Sequence, residues 1–265
     1  MSRSINIVLA LIVTAVLAIQ ACSSGGDSDT PWPNPLPTQS PAGVWIGTLS
    51  ENETTFTVGI VKKDGTTRWI QERKQYSGTL ESAAGVLSGQ LNAYTWDTTG
   101  TEEYGVTSSP VSVAGFVAEK ALLQGAYTEE ENTTGVFDFL YTQTTASIDP
   151  SVKAIEGQWI IKNAYKKGNT LTLTITTTGT SNITGFDDDG NSLEGTITIL
   201  YTPPDYNYNV YSLDLDLDNG SGTHELTGLA AYLADVNTSG ITIDELLAIG
   251  ASSPGLSLSG LATRP

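Results

Sequence analysis

The chain has 265 residues, with 12 Lys and Arg against 29 Asp and Glu, one His and one Cys, for a formal charge of −17. That field repels phosphate backbones and excludes nucleic acid as an expected partner. A lone histidine, His224, confines Ser-His-Asp or Cys-His chemistry to a single base, and the shortage of Cys and His removes structural zinc sites and disulfides. No G-x-x-x-x-G-K-S/T loop or dinucleotide fingerprint occurs, so no nucleotide cofactor is expected.

Residues 1–21 have the anatomy of an export signal. Arg3 supplies the positive start, and Ile5 to Ile19 form an apolar run interrupted only by Asn6 and Thr14. Such a run is shorter than the ~20 apolar residues of a comfortable bilayer span. The following "IQAC" resembles the lipobox of bacterial lipoproteins, with Ile19 aliphatic, Ala21 small and Cys22 last; Gln20 is a mild departure. The resemblance implies cleavage before Cys22, a diacylglycerol on its thiol and an acylated amine. Each buried CH₂ adds ~0.8 kcal/mol, so two or three chains anchor firmly where one is marginal. Ser23, rather than an aspartate, follows Cys22 and by analogy points to the outer membrane of a Gram-negative envelope. Loss of residues 1–21 removes Arg3 and no acid, taking the formal charge to −18. The membrane is thus expected to be met through lipid rather than through charge.

Residues 22–42 carry the lipidated cysteine and a Ser, Gly, Asp and Pro tether. Pro31, Pro33, Pro35, Pro37 and Pro41 favour extended polyproline II, ~3.1 Å per residue. From Gly43 the pattern changes to short β runs. "TFTVGIV", the turn "KKDG" (62–65) and "TRWIQ" predict a hairpin, since Asp-Gly between apolar runs is a strong turn signal. "LTLTITTTG", "GTITILY" and "SLDLDLDNG" alternate apolar and polar residues with a period of two. "IDELLAIG" (243–250) fits two helical turns or a strand. Turn signals recur roughly every 8 to 12 residues, as in a barrel or sandwich.

The chain also repeats itself. "GVWIGTLS" opens one half and "EGQWIIKN" the other, with Trp45 and Trp159 in like places. "LLQGAYTEEENTTGVFDF" (122–139) echoes "LTGLAAYLADVNTSGITI" (226–243). The expected fold is all-β: two tandem antiparallel barrels or sandwich-like halves, 43–148 and 155–265, with one larger barrel built from both halves as the alternative. "AGVWIGTLS", "VKKDGTTRWI", "AGVLSGQLN", "AIEGQWIIK" and "LTGLAAYLAD" resemble a group of functionally uncharacterised two-repeat, lipocalin-like envelope lipoproteins of Gram-negative bacteria. The resemblance implies fold and location and supplies no catalytic residue. The second half departs from its W-x-G opening, with Ile161 where glycine stands at Gly47.

Three groups of residues invite a functional reading. "FDDDGNSLE", with Asp187 and Asp189, and "DVNTSGITIDE", with Asp235 and Asn237, suggest calcium ligands. In the second, Leu246 stands where an EF-type loop needs its bidentate carboxylate, and polar hairpin turns are the competing reading. The loop "LYTPPDYNYNVY" crowds Tyr201, Tyr206, Tyr208 and Tyr211 around two prolines, a rigid platform for a protein, a glycan or an apolar ligand. Asp214, Asp216 and Asp218 project from one strand face and read as solvated. No motif selects a catalytic carboxylate pair or makes His224 more than a surface turn residue. The expectation is a binding or interaction module rather than an enzyme, with a purely structural envelope protein as runner-up and a carboxylate hydrolase third.

Overall fold

The computed structural model describes residues 39–265 apart from 52–53, 97–105, 130–132, 143–150, 167, 178–180, 201–208, 221 and 239–240. Residues 1–21, expected as an export signal, Cys22 and most of the expected tether therefore lie outside the described residues. The chain is all-β. Its first eight strands are β1 (Gly43–Ser50), β2 (Thr54–Val61), β3 (Thr66–Ile70), β4 (Lys74–Ala83), β5 (Val86–Trp96), β6 (Val106–Ala118), β7 (Leu122–Glu129) and β8 (Thr134–Tyr141). They pair antiparallel in chain order, and β8 returns to β1 to close a barrel. A 3₁₀ turn, Val152–Ile155, leads to β9 (Gly157–Lys162), β10 (Thr170–Thr176), β11 (Asn182–Asp187) and β12 (Ser192–Ile199). The rest are β13 (Val210–Asp218), β14 (Thr223–Thr238), β15 (Ile241–Ser253) and β16 (Leu256–Ala262). This second sheet is also in chain order and barrel-shaped. Its ends meet where Ile160 and Thr263 exchange backbone hydrogen bonds of 2.8 and 3.1 Å.

Local chemistry accounts for the pairings. Asp64 accepts the Thr66 N–H at 2.9 Å and Gly65 takes φ +84°, which closes the β2–β3 hairpin. In β10 and β13 the apolar set Leu171, Leu173, Ile175, Leu213, Leu215 and Leu217 is buried, and Asp214, Asp216 and Asp218 are exposed. "IDELLAIG" belongs to β15. From Leu246 to Ala251 that strand is buried without alternation, so periodicity alone does not separate it from a helix.

Each barrel has its own core, built on Trp45 and Trp69 in the first and on Trp159 in the second. The repeat is visible in one detail. Trp45 Nε1 donates to the Pro41 carbonyl and Trp159 Nε1 to the Ile155 carbonyl, each at 2.8 Å and each four residues back. The last residues of the expected tether are thus part of the body: Ala42 is buried, and Gln39 bonds to Ser82 and to the Glu119 N–H. The echo between 122–139 and 226–243 is out of step by one strand. Counting from the tryptophan strands, β14 stands in the place of β6, not of β7. The likeness comes from turn chemistry, because Asn, Thr and Gly recur at hairpin ends whatever the strand order.

A third core joins the barrels. Val44, Ile46, Val58, Ile60 and Ile70 of β1–β3 pack with Val210, Leu229, Ala231, Leu233, Leu246 and Ala248 of β13–β15. These strands are covered on both faces, which is why they read as continuous apolar runs. A polar latch crosses the same junction. The buried Arg68 guanidinium donates to Gln75 Oε1 (3.0 Å), Ser252 Oγ (3.1 Å) and the Thr227 carbonyl (2.7 Å), and Gln75 Nε2 donates to the Ala251 carbonyl (2.8 Å). Burial pulls the Arg68 pKa down to about 10, so it stays a cation at neutral pH, satisfied by neutral oxygens. The halves therefore form two barrels, not one, but they are packed as a pair.

Candidate functional site

Among the described residues, a segment packs into the core of the second barrel at each end. At one end the loop after β9 inserts Ala164 and Tyr165 into the core. At the other the 3₁₀ turn packs Val152, Ala154 and Ile155 against it, and Tyr211 donates to the Ser151 carbonyl at 3.1 Å. Arg264 clamps this end. It lies 4.4 Å over the Trp159 ring, pairs with Glu245 at 2.8 Å, and donates to the carbonyls of Ala154 and Glu156.

The first barrel differs at the end where β1, β3 and β7 finish and β2 and β4 begin. A cavity of about 260 Å³ opens there, lined by Leu49, Glu51, Thr55, Gln71, Lys74, Tyr76 and Tyr127. Strand alternation builds it. Tyr76 and Tyr127 point into the core, so Lys74 and Glu129, each two residues away toward the rim, share that inward face. Lys74 Nζ lies 2.5 Å from Glu129 Oε1 and 3.3 Å from Glu51 Oε1. Tyr76 donates to Glu129 Oε1 at 2.9 Å, and Tyr127 donates to Glu51 Oε1 at 3.0 Å. The Tyr76 and Tyr127 rings meet edge to face at 5.8 Å, and Lys74 Nζ sits 5.0 Å over Tyr76. Beneath them Trp69 contacts both tyrosines, Phe137 and Phe139. Its indole N–H is buried without an acceptor among the described residues.

The electrostatics follow from this packing. Burial alone raises the Glu51 pKa. The Lys74 ammonium, and then the hydrogen bonds donated by Tyr127 and Lys74, outweigh it and hold Glu51 below the usual carboxylate value. Burial first, then the neighbouring carboxylates, pushes both tyrosines well above an ordinary phenol, so they remain neutral donors. Two carboxylates, one ammonium and two phenols thus line a half-open cavity.

Those residues singled out from sequence that the structure describes lie elsewhere. Tyr201, Tyr206 and Tyr208 are outside the described residues, whereas Tyr211 is a fully buried core residue of β13. Asp187 and Asp235 are at opposite ends of the second barrel. The first adjoins the β11–β12 turn, and the second is near the far end of β14, exposed with φ +52°. Asn237 is in β14, and its side chain is not among those described. Asp187, Asp188 and Asp189 do lie together, with both oxygens of Asp187 and one oxygen of each of the others already engaged. Asp187 Oδ1 accepts the N–H groups of Asp189 (3.0 Å) and Asn191 (2.8 Å). Its Oδ2 accepts Asn191 Nδ2 (2.9 Å) and the Tyr165 hydroxyl. Asp188 accepts the Thr170 N–H and Asp189 pairs with Lys166. His224 meets Asn219 at 3.2 Å. On the outer face Asp216 stands directly between Glu194 and Glu225.

Asp187 therefore works as the peg of a turn. Burial would raise its pKa, but the hydrogen bonds from Tyr165 and Asn191 and from the backbone N–H groups bring it below 3.8. The unfolded chain takes up that proton more readily. The stability Asp187 contributes is thus fully present above its ordinary value and is lost as pH falls through the lowered one. Asp187→Ala should cost about 2 kcal/mol or more, because it strands the Tyr165 and Asn191 donors. It should also flatten the acid limb of stability measured by urea unfolding. Millimolar calcium should leave the wild-type melting temperature nearly unchanged; a rise of many degrees would make this turn an ion site.

Sequence reasoning missed Glu51, Lys74 and Glu129. The available signal was "KQY" (74–76) and "YTE" (127–129), in which an ionisable residue stands two places from a core tyrosine. No protein-family model, curated protein or solved structure matches this chain.

Proposed function

We propose that this chain is a lipid-anchored envelope binding module that offers the mouth of its first barrel to a small ligand. One observation carries the reading: the first barrel has a charged and aromatic cavity at one end, whereas among the described residues apolar segments pack into both ends of the second. Convergent polar groups above an apolar floor are the usual makings of a ligand site. The lipobox-like "IQAC" and the proline tether support display on a membrane, and the resemblance to two-repeat envelope lipoproteins points the same way. In this reading the second barrel is the scaffold that steadies β1–β3 through the third core.

Two measurements test it. A fragment library screened by amide chemical shifts against Thr38–Pro265 should give saturable shifts clustered at Glu51, Gln71, Lys74 and Tyr127. A screen in which no compound maps to the mouth would leave the structural reading in place. Cys22→Ser should abolish lipid labelling and move the protein out of the membrane fraction. Unchanged fractionation with no label on the wild type would remove the anchor.

A further inference from the structure

We propose that the ligand of the first barrel's mouth is a small organic ammonium ion, and that Lys74 is the chain's own occupant of half the site. This rests on the reading of the mouth as a binding site. The argument is one of unmet charge and unmet hydrogen bonds. Glu51 and Glu129 bring two formal negative charges and Lys74 one positive, so the cluster is one cation short. Lys74 donates to Oε1 of both glutamates; Tyr127 adds a second donor to Oε1 of Glu51, and Tyr76 a second to Oε1 of Glu129. Among the described residues, each Oε2 is left without an N–H donor. A primary ammonium supplies a positive charge and three N–H donors in one compact group.

The surroundings narrow the class. Two phenol rings bound the site, and Lys74 already shows that an ammonium is tolerated over one of them. The cavity is below the ~300–1,000 Å³ of pockets for drug-sized ligands, so the ion is small, and Leu49 offers its carbon atoms an apolar wall. Calcium is a poor fit, because it takes 6–8 oxygen ligands and Lys74 Nζ lies against the same carboxylates. Anions are repelled, and a neutral sugar leaves the charge unmet.

The test uses the compact unit Thr38–Pro265. The probes are n-butylammonium, 1,4-diaminobutane, 1-butanol, butyrate and glucose, read by amide chemical shifts and calorimetry. Butylammonium should shift the mouth resonances saturably, whereas 1-butanol, butyrate and glucose should not. Lys74→Met deepens the charge deficit to two, so 1,4-diaminobutane should bind about tenfold or more tighter than to the wild type, a factor of ten being 1.4 kcal/mol. Glu51→Gln should weaken butylammonium by about tenfold. Tyr127→Phe, which keeps the ring, should weaken it less and guards against a Glu51 variant that fails to fold, which circular dichroism checks. Equal binding of 1-butanol or glucose, or weaker diamine binding by Lys74→Met, overturns the ammonium proposal and leaves the mouth as a site. Silence of the mouth toward every probe, whatever its charge, overturns the proposal and counts against the binding reading as well.

Discussion

Gly47→Ala should cost about 3 kcal/mol, the upper end of what overpacking costs. Gly47 lies on β1 opposite Phe139 of β8, at the seam that closes the first barrel. A Cβ there would stand 1.9 Å from the Asp138 carbonyl oxygen and 2.7 Å from the Phe139 Cα. Both are backbone atoms of a paired strand, so relief requires β1 and β8 to part. Urea unfolding should show a lower midpoint with an unchanged slope, the mark of lost stability without a changed denatured state. A variant within about 0.5 kcal/mol of wild type, the usual range of neutral surface substitutions, would refute this account of the seam.

The second barrel has the same seam with its parts exchanged. Ile161 stands two residues after Trp159, where Gly47 follows Trp45. Room for it comes from Gly260 of β16, whose added Cβ would meet Ile161 Cγ2 at 2.1 Å. Here the obstacle is a side chain, so Gly260→Ala should cost less than Gly47→Ala, and Ile161→Ala in the same chain should recover part of the loss. The departure from the W-x-G opening is thus a swap of bulk across the closing strands.

That swap shows what was legible in the sequence. Hairpin turns and alternating strands were plain, because Asp-Gly turns and a period of two act within a few residues. Leu213, Leu215 and Leu217 needed no tertiary knowledge. The double-sided burial of "GLAAYLAD" and "ELLAIGA" was not legible as a junction, since an apolar run does not say which second surface covers it. The mouth was hidden for a related reason. Glu51, Lys74 and Glu129 are far apart in sequence and meet only because the barrel brings the ends of β1, β4 and β7 to one rim. The tyrosine-rich loop misled through Tyr211, whose alternation with Leu213 already placed it inside.

The junction makes the other large prediction. Ile46→Asp should lower stability by more than about 4 kcal/mol, through the burial of an unpaired carboxylate. Ile46 is 0% exposed and stands between Val58 of β2 and Leu140 of β8 in the core shared with the second barrel, so no small rearrangement brings an aspartate to water. The loss should not stay in the first barrel. Leu229, Ala231 and Leu233 complete their burial on β1–β3, and Arg68 donates across the same contact to Ser252 Oγ and the Thr227 carbonyl. A first barrel that opens leaves that apolar face and the Thr227 carbonyl uncovered, which drives the second barrel to open with it. Amide hydrogen exchange in β5–β6 and in β11–β12 should therefore report one shared opening energy, lowered equally in both by Ile46→Asp. Retained protection in β11–β12 while β5–β6 exchanges would mean that the second barrel stands alone, and that the third core is contact without cooperation.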